Sequence, residues 1–265
     1  MFFDLEGDRI GLRENVRMRN GLRGLAVPLL MVLLWWLAAE SGIGVGILPS
    51  PWEVIITFKD LLASGELQAH VKTSLLRIVQ GFFLAVGLGV PAGILAAVFP
   101  PFAQYVSPIL GFLRQVPPVA WIPVLIMVLG IGEATKLAVI VYAAFFPIFM
   151  NTILGITQID DHFWEVARLL EFSSREILWE LILPASAPSL IAGLRLGMSN
   201  SWRALVAAEM LAAFSGLGYM IMAARSLVRM DEMFIGIAVI GILGLAIDWG
   251  WKLLEGYVLR WQNRE

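Results

Sequence analysis

The sequence predicts an all-helical membrane protein with six transmembrane helices, and three observations carry that prediction. Of the 265 residues, 59% are hydrophobic and 15% charged, with a mean hydropathy of +0.81. Soluble domains run to about 45–50% apolar and about 25% charged residues. Apolar runs approaching the roughly 20 residues that span a bilayer recur six times. One short charged stretch ending in proline, EVARLLEFSSREILWELILP (Glu165–Pro184), stands between two of them.

Composition also excludes several chemistries. There is no cysteine, so disulfides, thiolate metal sites and cysteine nucleophiles are absent. Two separated histidines, His70 and His162, suggest no metal cluster and read as solvated residues at the membrane edge. A net charge of -2 gives no argument for a nucleic-acid partner.

Residues 1–23 mix Asp4, Glu6, Asp8 and Glu14 with Arg9, Arg13, Arg17, Arg19 and Arg23. They read as a cytoplasmic tail rather than a cleavable signal, and residues 24–265 as the transmembrane domain. The expected spans are Gly24–Ala39, Leu75–Phe99, a third ending near Leu129, Lys136–Ile156, Ser189–Phe214 and Met233–Val258. Between the first two, Pro49 and Pro51 open an amphipathic helix that carries Ile55, Phe58, Leu61 and Leu62 and stops at Gly65. It is expected to rest on the bundle. The third span holds Arg114, Pro117, Pro118 and Pro123. Prolines break the backbone ladder, and broken helices at membrane depth need protein or a water-filled cavity to satisfy them. Val119 and Trp121 in this break are therefore candidates for a translocation path. GLGVPAG, in the second span, reads as close helix packing through small residues. Trp35, Trp36, Trp249 and Trp251 fit an interfacial aromatic belt.

Orientation follows from basic residues. With the N-terminus inside, inner segments carry ten (9, 13, 17, 19, 23, 168, 175, 252, 260, 264) and outer segments five (59, 72, 136, 225, 229). That bias favours N-in and C-in.

Within Glu165–Pro184 and the residues leading to it, Asp160 and Asp161 suit a helix start. Phe163, Val166, Ala167 and Leu170 then fall on one apolar stripe. Ser173 and Glu176 form a capping box that opens a second short helix, expected to end before Pro184, with Pro184 and Pro188 bracketing a turn into the fifth span. The loop spans about 157–188. Glu165, Glu171, Glu176 and Glu180 outnumber Arg168 and Arg175, so the elbow suits a protein partner better than anionic headgroups.

This stretch resembles the EAA loop of permease subunits of ATP-binding-cassette (ABC) importers. Glu165, Val166, Ala167, Glu171, Ile182, Leu183 and Pro184 occupy the motif positions, with Val166 in place of alanine and Glu171 in place of glycine. The flanks ILPSP, VPPVAWIPVLIMVLGIGEATK, FFPIFMNT, ILPASAPSLIAGLRLGMSNSWRALVAAEM and SGLGYMI are similar to the subfamily importing aliphatic sulfonates, taurine, nitrate and related small solutes. The similarity runs from about Leu48 to the C-terminus. It implies the type I importer permease fold in the cell membrane and a homodimer. It also implies two ATPase subunits, which would bind ATP and Mg, and an extracytoplasmic solute-binding protein. The elbow would be the coupling helix, with Glu165, Val166, Ala167, Arg168, Leu170, Glu171 and Pro184 at the ATPase.

No G-x-x-x-x-G-K-[ST] phosphate loop is present, so hydrolysis is expected in a separate subunit and no cofactor in this chain. Charges inside spans mark pathways or pairs. In the fifth span Asn200, Ser201, Arg203 and Glu209 either line the route or bind helices together, while Arg195 reads as a snorkelling side chain. Asp248 and Lys252, four residues apart, read as a local ion pair. A proton-coupled secondary transporter would need inverted repeats and a deep relay, and a membrane enzyme a clustered catalytic set; the sequence displays neither.

Overall fold

The computed structural model describes residue 27 and residues 29–42 and 48–260. The expected tail over 1–23 and the start of the first expected span lie outside the described residues. Among the described residues ten helices follow in order: α1 Leu29–Glu40, α2 Pro51–Ala63, α3 Glu66–Val98, α4 Pro100–Gln115, α5 Pro118–Leu129, α6 Glu133–Thr157, α7 Asp161–Leu169, α8 Ser174–Ala212, α9 Leu217–Ser226 and α10 Met230–Val258. No strand occurs among the described residues. Four helices (α3, α6, α8, α10) are long and apolar enough to cross a membrane, and α4 with α5 makes a fifth if that bent pair is one span.

Helix α6 sits between α3 and α8, and small residues set how closely the three approach. On α3, Gly81, Ala85, Gly89 and Gly93 recur every four residues on the buried face. A Cβ at Gly93 would stand 2.6 Å from Thr152 Cβ, and one at Gly89 3.0 Å from Ile148 Cγ2. Across α6, a Cβ at Gly193 of α8 would stand 2.6 Å from Asn151 Cβ. Lipid offers apolar surface as good as a neighbouring helix, so contact density rather than water exclusion binds these helices. The expectation for GLGVPAG holds at Gly89 and Gly93, whereas Gly87 faces open space.

Helix α2 begins at Ser50, whose hydroxyl and the Glu53 carboxylate make a capping box. It rests on the bundle as expected, with Leu61 buried in a cluster with Leu67, Leu217 and Ile235 and Thr57 bonded to Asp231 of α10. Trp35 is partly buried, donating to the Pro49 carbonyl at 3.0 Å and stacking on Phe234. Trp36 and Trp249 stay exposed.

The third expected span is broken: α4 and α5 meet at 94°. Pro117 and Pro118 cannot donate, and local contacts take up the freed carbonyls. The Val116 amide donates to Leu113 O at 3.0 Å, and the Tyr142 hydroxyl of α6 also bonds Leu113 O, with Val116 O 3.1 Å away.

The fifth span differs from expectation. No helix ends before Pro184; α8 runs unbroken for 39 residues from the elbow into the membrane. Over Ile177–Ile182 it widens into a π turn. Proline crowds the carbonyl four residues back and lacks the amide to bond it; the wider i→i+5 turn, which contains Glu180, makes room for the ring of Pro184. Pro188 likewise lies inside the helix.

Candidate functional site

The elbow is built from two caps and one left-handed residue. Asp160 accepts from the His162 amide at 2.9 Å and starts α7. Ser173 and Glu176 form the expected capping box at the start of α8, the Ser173 amide donating to Glu176 Oε2 at 2.7 Å. Between them α7 ends in a Schellman turn. The Phe172 amide donates to Ala167 O and the Glu171 amide to Arg168 O, the bond pair that defines this motif. Glu171 takes φ +53°, the conformation that glycine favours and that costs a side-chain-bearing residue about 1–2 kcal/mol. The glutamate thus adopts the turn geometry that a glycine there would provide.

The apolar stripe is divided. Ala167 is 3% exposed and packs with Ile156, Ile159, Leu181 and Ile182, with Trp164 and Phe172 against them. Phe163, Val166 and Leu170 point away from the chain, as does Leu169 at 82% exposure. The expectation that Ala167 shares one outward stripe is therefore corrected: one edge of the nine-residue helix packs on the bundle, which buries Ala167 and half-buries Trp164. Glu165, Arg168, Glu171 and Pro184 are exposed, as is Trp179 of α8.

A cavity of about 600 Å³ opens beside the broken span, lined by both of its sides and by α6 and α8. Arg114, Val119, Tyr142, Asn151, Asn200 and Arg203 are among its walls. Trp121 stands behind the wall, its indole donating to the Tyr142 hydroxyl at 2.9 Å. Val119, Asn200 and Arg203 thus line this cavity.

Ser201 and Glu209 do not. Ser201 is fully buried and donates to Met198 O. Glu209, also fully buried, receives Arg77 Nη1 at 2.8 Å, the Ser74 hydroxyl at 2.8 Å and the Gly218 amide at 3.0 Å. Arg77 continues to Glu133 at 2.7 Å and to Ser215 O at 2.7 Å, and Glu133 to Lys136 at 2.8 Å. This network ties α3, α6, α8 and the turn into α9 together. Every strong donor and acceptor in it faces another, which is how buried charge persists. A β-carbon at Gly216, whose φ is +106°, would overlap the Glu209 carboxylate, so the turn into α9 closes tightly over it.

A family model described as binding-protein-dependent transport system inner membrane component matches residues 89–257. The chain belongs to that family. It is a multi-pass cell-membrane protein, the permease subunit of an ABC importer. The permease is 38% identical over 249 residues to a Bacillus subtilis (strain 168) protein named as an aliphatic sulfonates transport permease, SsuC, covering 93% of this chain and 90% of that one. It is 34% identical over 247 residues to the taurine transport system permease protein TauC of Escherichia coli (strain K12), covering 90% of each. Its fold matches the inward-facing MetNI methionine ABC transporter at a TM-score of 0.66, with 18% identity, over 74% of this chain and 97% of that one.

Three residues of this permease's polar framework escaped the sequence reading. Arg77 lies inside the second apolar run, and that position alone was the available signal. Its partner Glu133 gives no signal, because it precedes its span. His70, expected to be solvated, has a largely buried ring and accepts from the Gly216 amide at 3.1 Å. Arg195 does not snorkel: it joins α8 to α10 through Asp248 at 2.9 Å and Glu255 at 3.2 Å. The expected Asp248–Lys252 pair forms beside it at 2.8 Å.

Proposed function

We propose that this permease works as a homodimer with six spans per copy, N-in and C-in, driven by two ATPase subunits and loaded by an extracytoplasmic solute-binding protein. ATP and Mg would be bound by the ATPase, with no cofactor in this chain. Residues 1–23 would be the cytoplasmic tail and 24–265 the transmembrane domain, with α1 supplying the sixth span. The observation that carries the reading is the elbow. It offers an outward apolar face of Phe163, Val166, Leu169 and Leu170, rimmed by the charges of Glu165 and Arg168, on a helix whose opposite edge is packed into the bundle.

Seated in a cleft of the ATPase, that face would couple nucleotide-driven closure to the membrane helices. The continuity of α8 supports a direct route, since one 39-residue helix carries both the elbow's second limb and the cavity wall. A push on the elbow would rock α8 and α6, alternately opening the cavity to either side. The proposed solute is a small anion of the alkanesulfonate, taurine, nitrate or bicarbonate type, and relatives named for aliphatic sulfonates, taurine and nitrate support the first three.

Copurification tests this directly. Tagged permease expressed with its ATPase should retain the ATPase in detergent, and a Leu169→Asp variant should lose it while still inserting. Solute uptake driven by a proton gradient without any ATPase would refute the proposal.

A further inference from the structure

Two arginines face one cavity, and neither meets a carboxylate. Arg114 and Arg203 both line the space beside the broken span, and no ion pair within 4.0 Å involves either among the described residues. Arg203 reaches only the side-chain oxygen of Asn200, at 3.5 Å. Other basic side chains of these helices are paired with acids: Arg77 with Glu133 and Glu209, Lys136 with Glu133, Arg195 with Asp248 and Glu255. A guanidinium cannot shed its charge, and charge left in a span is costly and marks function.

A second copy of the chain would not supply the missing anion from its matching face. Residues 100–132, 134–159 and 181–208, which include every wall of the cavity, contain no Asp or Glu. Like faces brought together would add arginines. Among the described residues the cavity has no countercharge.

We propose that Arg114 and Arg203, with the Asn200 amide, form an anion-binding station within the permease itself, selective for a small oxyanion whose delocalised oxygens accept from a guanidinium fork. The inference rests on the importer reading and deepens it. The cavity holds far more than a bare ion, and Val119, Phe146, Met150 and Leu196 in its walls give a short alkyl chain an apolar surface. Planar, bidentate donation distinguishes arginine from a point charge such as lysine. The same pair would also accept a lipid phosphate, so the source of the oxyanion has to be separated experimentally.

The test uses the full permease–ATPase complex in phosphatidylcholine nanodiscs. Its melting temperature is followed against sodium ethanesulfonate, nitrate and bicarbonate, with chloride at equal ionic strength as reference. At least one oxyanion should stabilise the complex beyond chloride. Arg203→Gln and Arg114→Gln, on separate helices, should each weaken that response by about tenfold or more while keeping the ATPase bound. Arg203→Lys should recover only part of it. The anion station is overturned if no oxyanion stabilises the wild-type complex, or if both glutamine variants respond as wild type. Stabilisation that appears only on adding phosphatidylglycerol, whatever the salt, would assign the cavity to a lipid headgroup and overturn a solute site. Failure of the wild-type permease to hold its ATPase would sink the importer reading instead; an unresponsive cavity with the ATPase retained sinks the anion station alone.

Discussion

Arg203 and Glu209 lie six residues apart on α8, under two turns, and the helix sends them to different environments. A separation of six residues rotates them by about 240°, which turns Arg203 to the cavity and Glu209 to the core. Glu209 is enclosed by Ser74, Arg77 and the Gly218 amide; Arg203 has one long contact to Asn200. In sequence they are equivalent, each a charge within an apolar run. Charge inside a span therefore does not by itself distinguish a route from a rivet. The distinction lies in whether neighbouring helices bring a partner. The elbow repeats the lesson at adjacent positions, with Val166 facing out and Ala167 facing in.

The sharpest way to break this comparison is all-or-none. Because the chain has no cysteine, Val119→Cys should react readily with a water-soluble maleimide, and Ser201→Cys should stay unmodified in the folded protein. Equal labelling of the two would erase the contrast between cavity and core. Next comes stability. Glu209→Leu strips Arg77 of a buried partner and should cost about 3–5 kcal/mol, read as a large fall in melting temperature. Arg203→Leu should change stability by about 0.5 kcal/mol or less, as exposed substitutions do. Similar losses for both would mean that Arg203 is also a structural residue.

At the elbow, Ala167→Asp should destabilise the permease by about 2 kcal/mol or more, since it buries an unpartnered polar group. Val166→Asp should leave the melting temperature intact yet release the ATPase on copurification. If Ala167→Asp melts normally and only uncouples the ATPase, the inward packing of Ala167 is wrong. The smallest effect is a gain: Glu171→Gly relieves the left-handed residue and should stabilise by about 1 kcal/mol, with coupling retained. Loss of coupling in that variant would give the Glu171 side chain a contact of its own at the ATPase.

Much of the fold was legible from residue order. The caps at Asp160, Ser173 and Glu176 formed as expected because each depends on chemistry within a few residues. The break at Pro117 and Pro118 was legible for the same reason. Pro184 misled the reading, since proline's usual effect on a helix was offset by a π turn, and nothing in the local sequence announces one. The candidate site was half legible. Val119, Asn200 and Arg203 reached the cavity, whereas Ser201 and Glu209 did not.

Apolar content, helix starts, the proline break and the elbow motif were determined by the sequence alone, because hydrophobicity, capping and backbone donors are properties of a residue and its near neighbours. The tertiary structure decided what each charge is for. Arg77 meets Glu209 across 132 positions of chain, and Arg195 meets Asp248 across 53. Arg114 and Arg203 meet no acid because the stretches of helix that line their cavity carry none. An electrostatic partner is fixed by which helices touch. That contact is set by Gly89, Gly93 and Gly193, whose missing side chains let α3 and α8 close on α6.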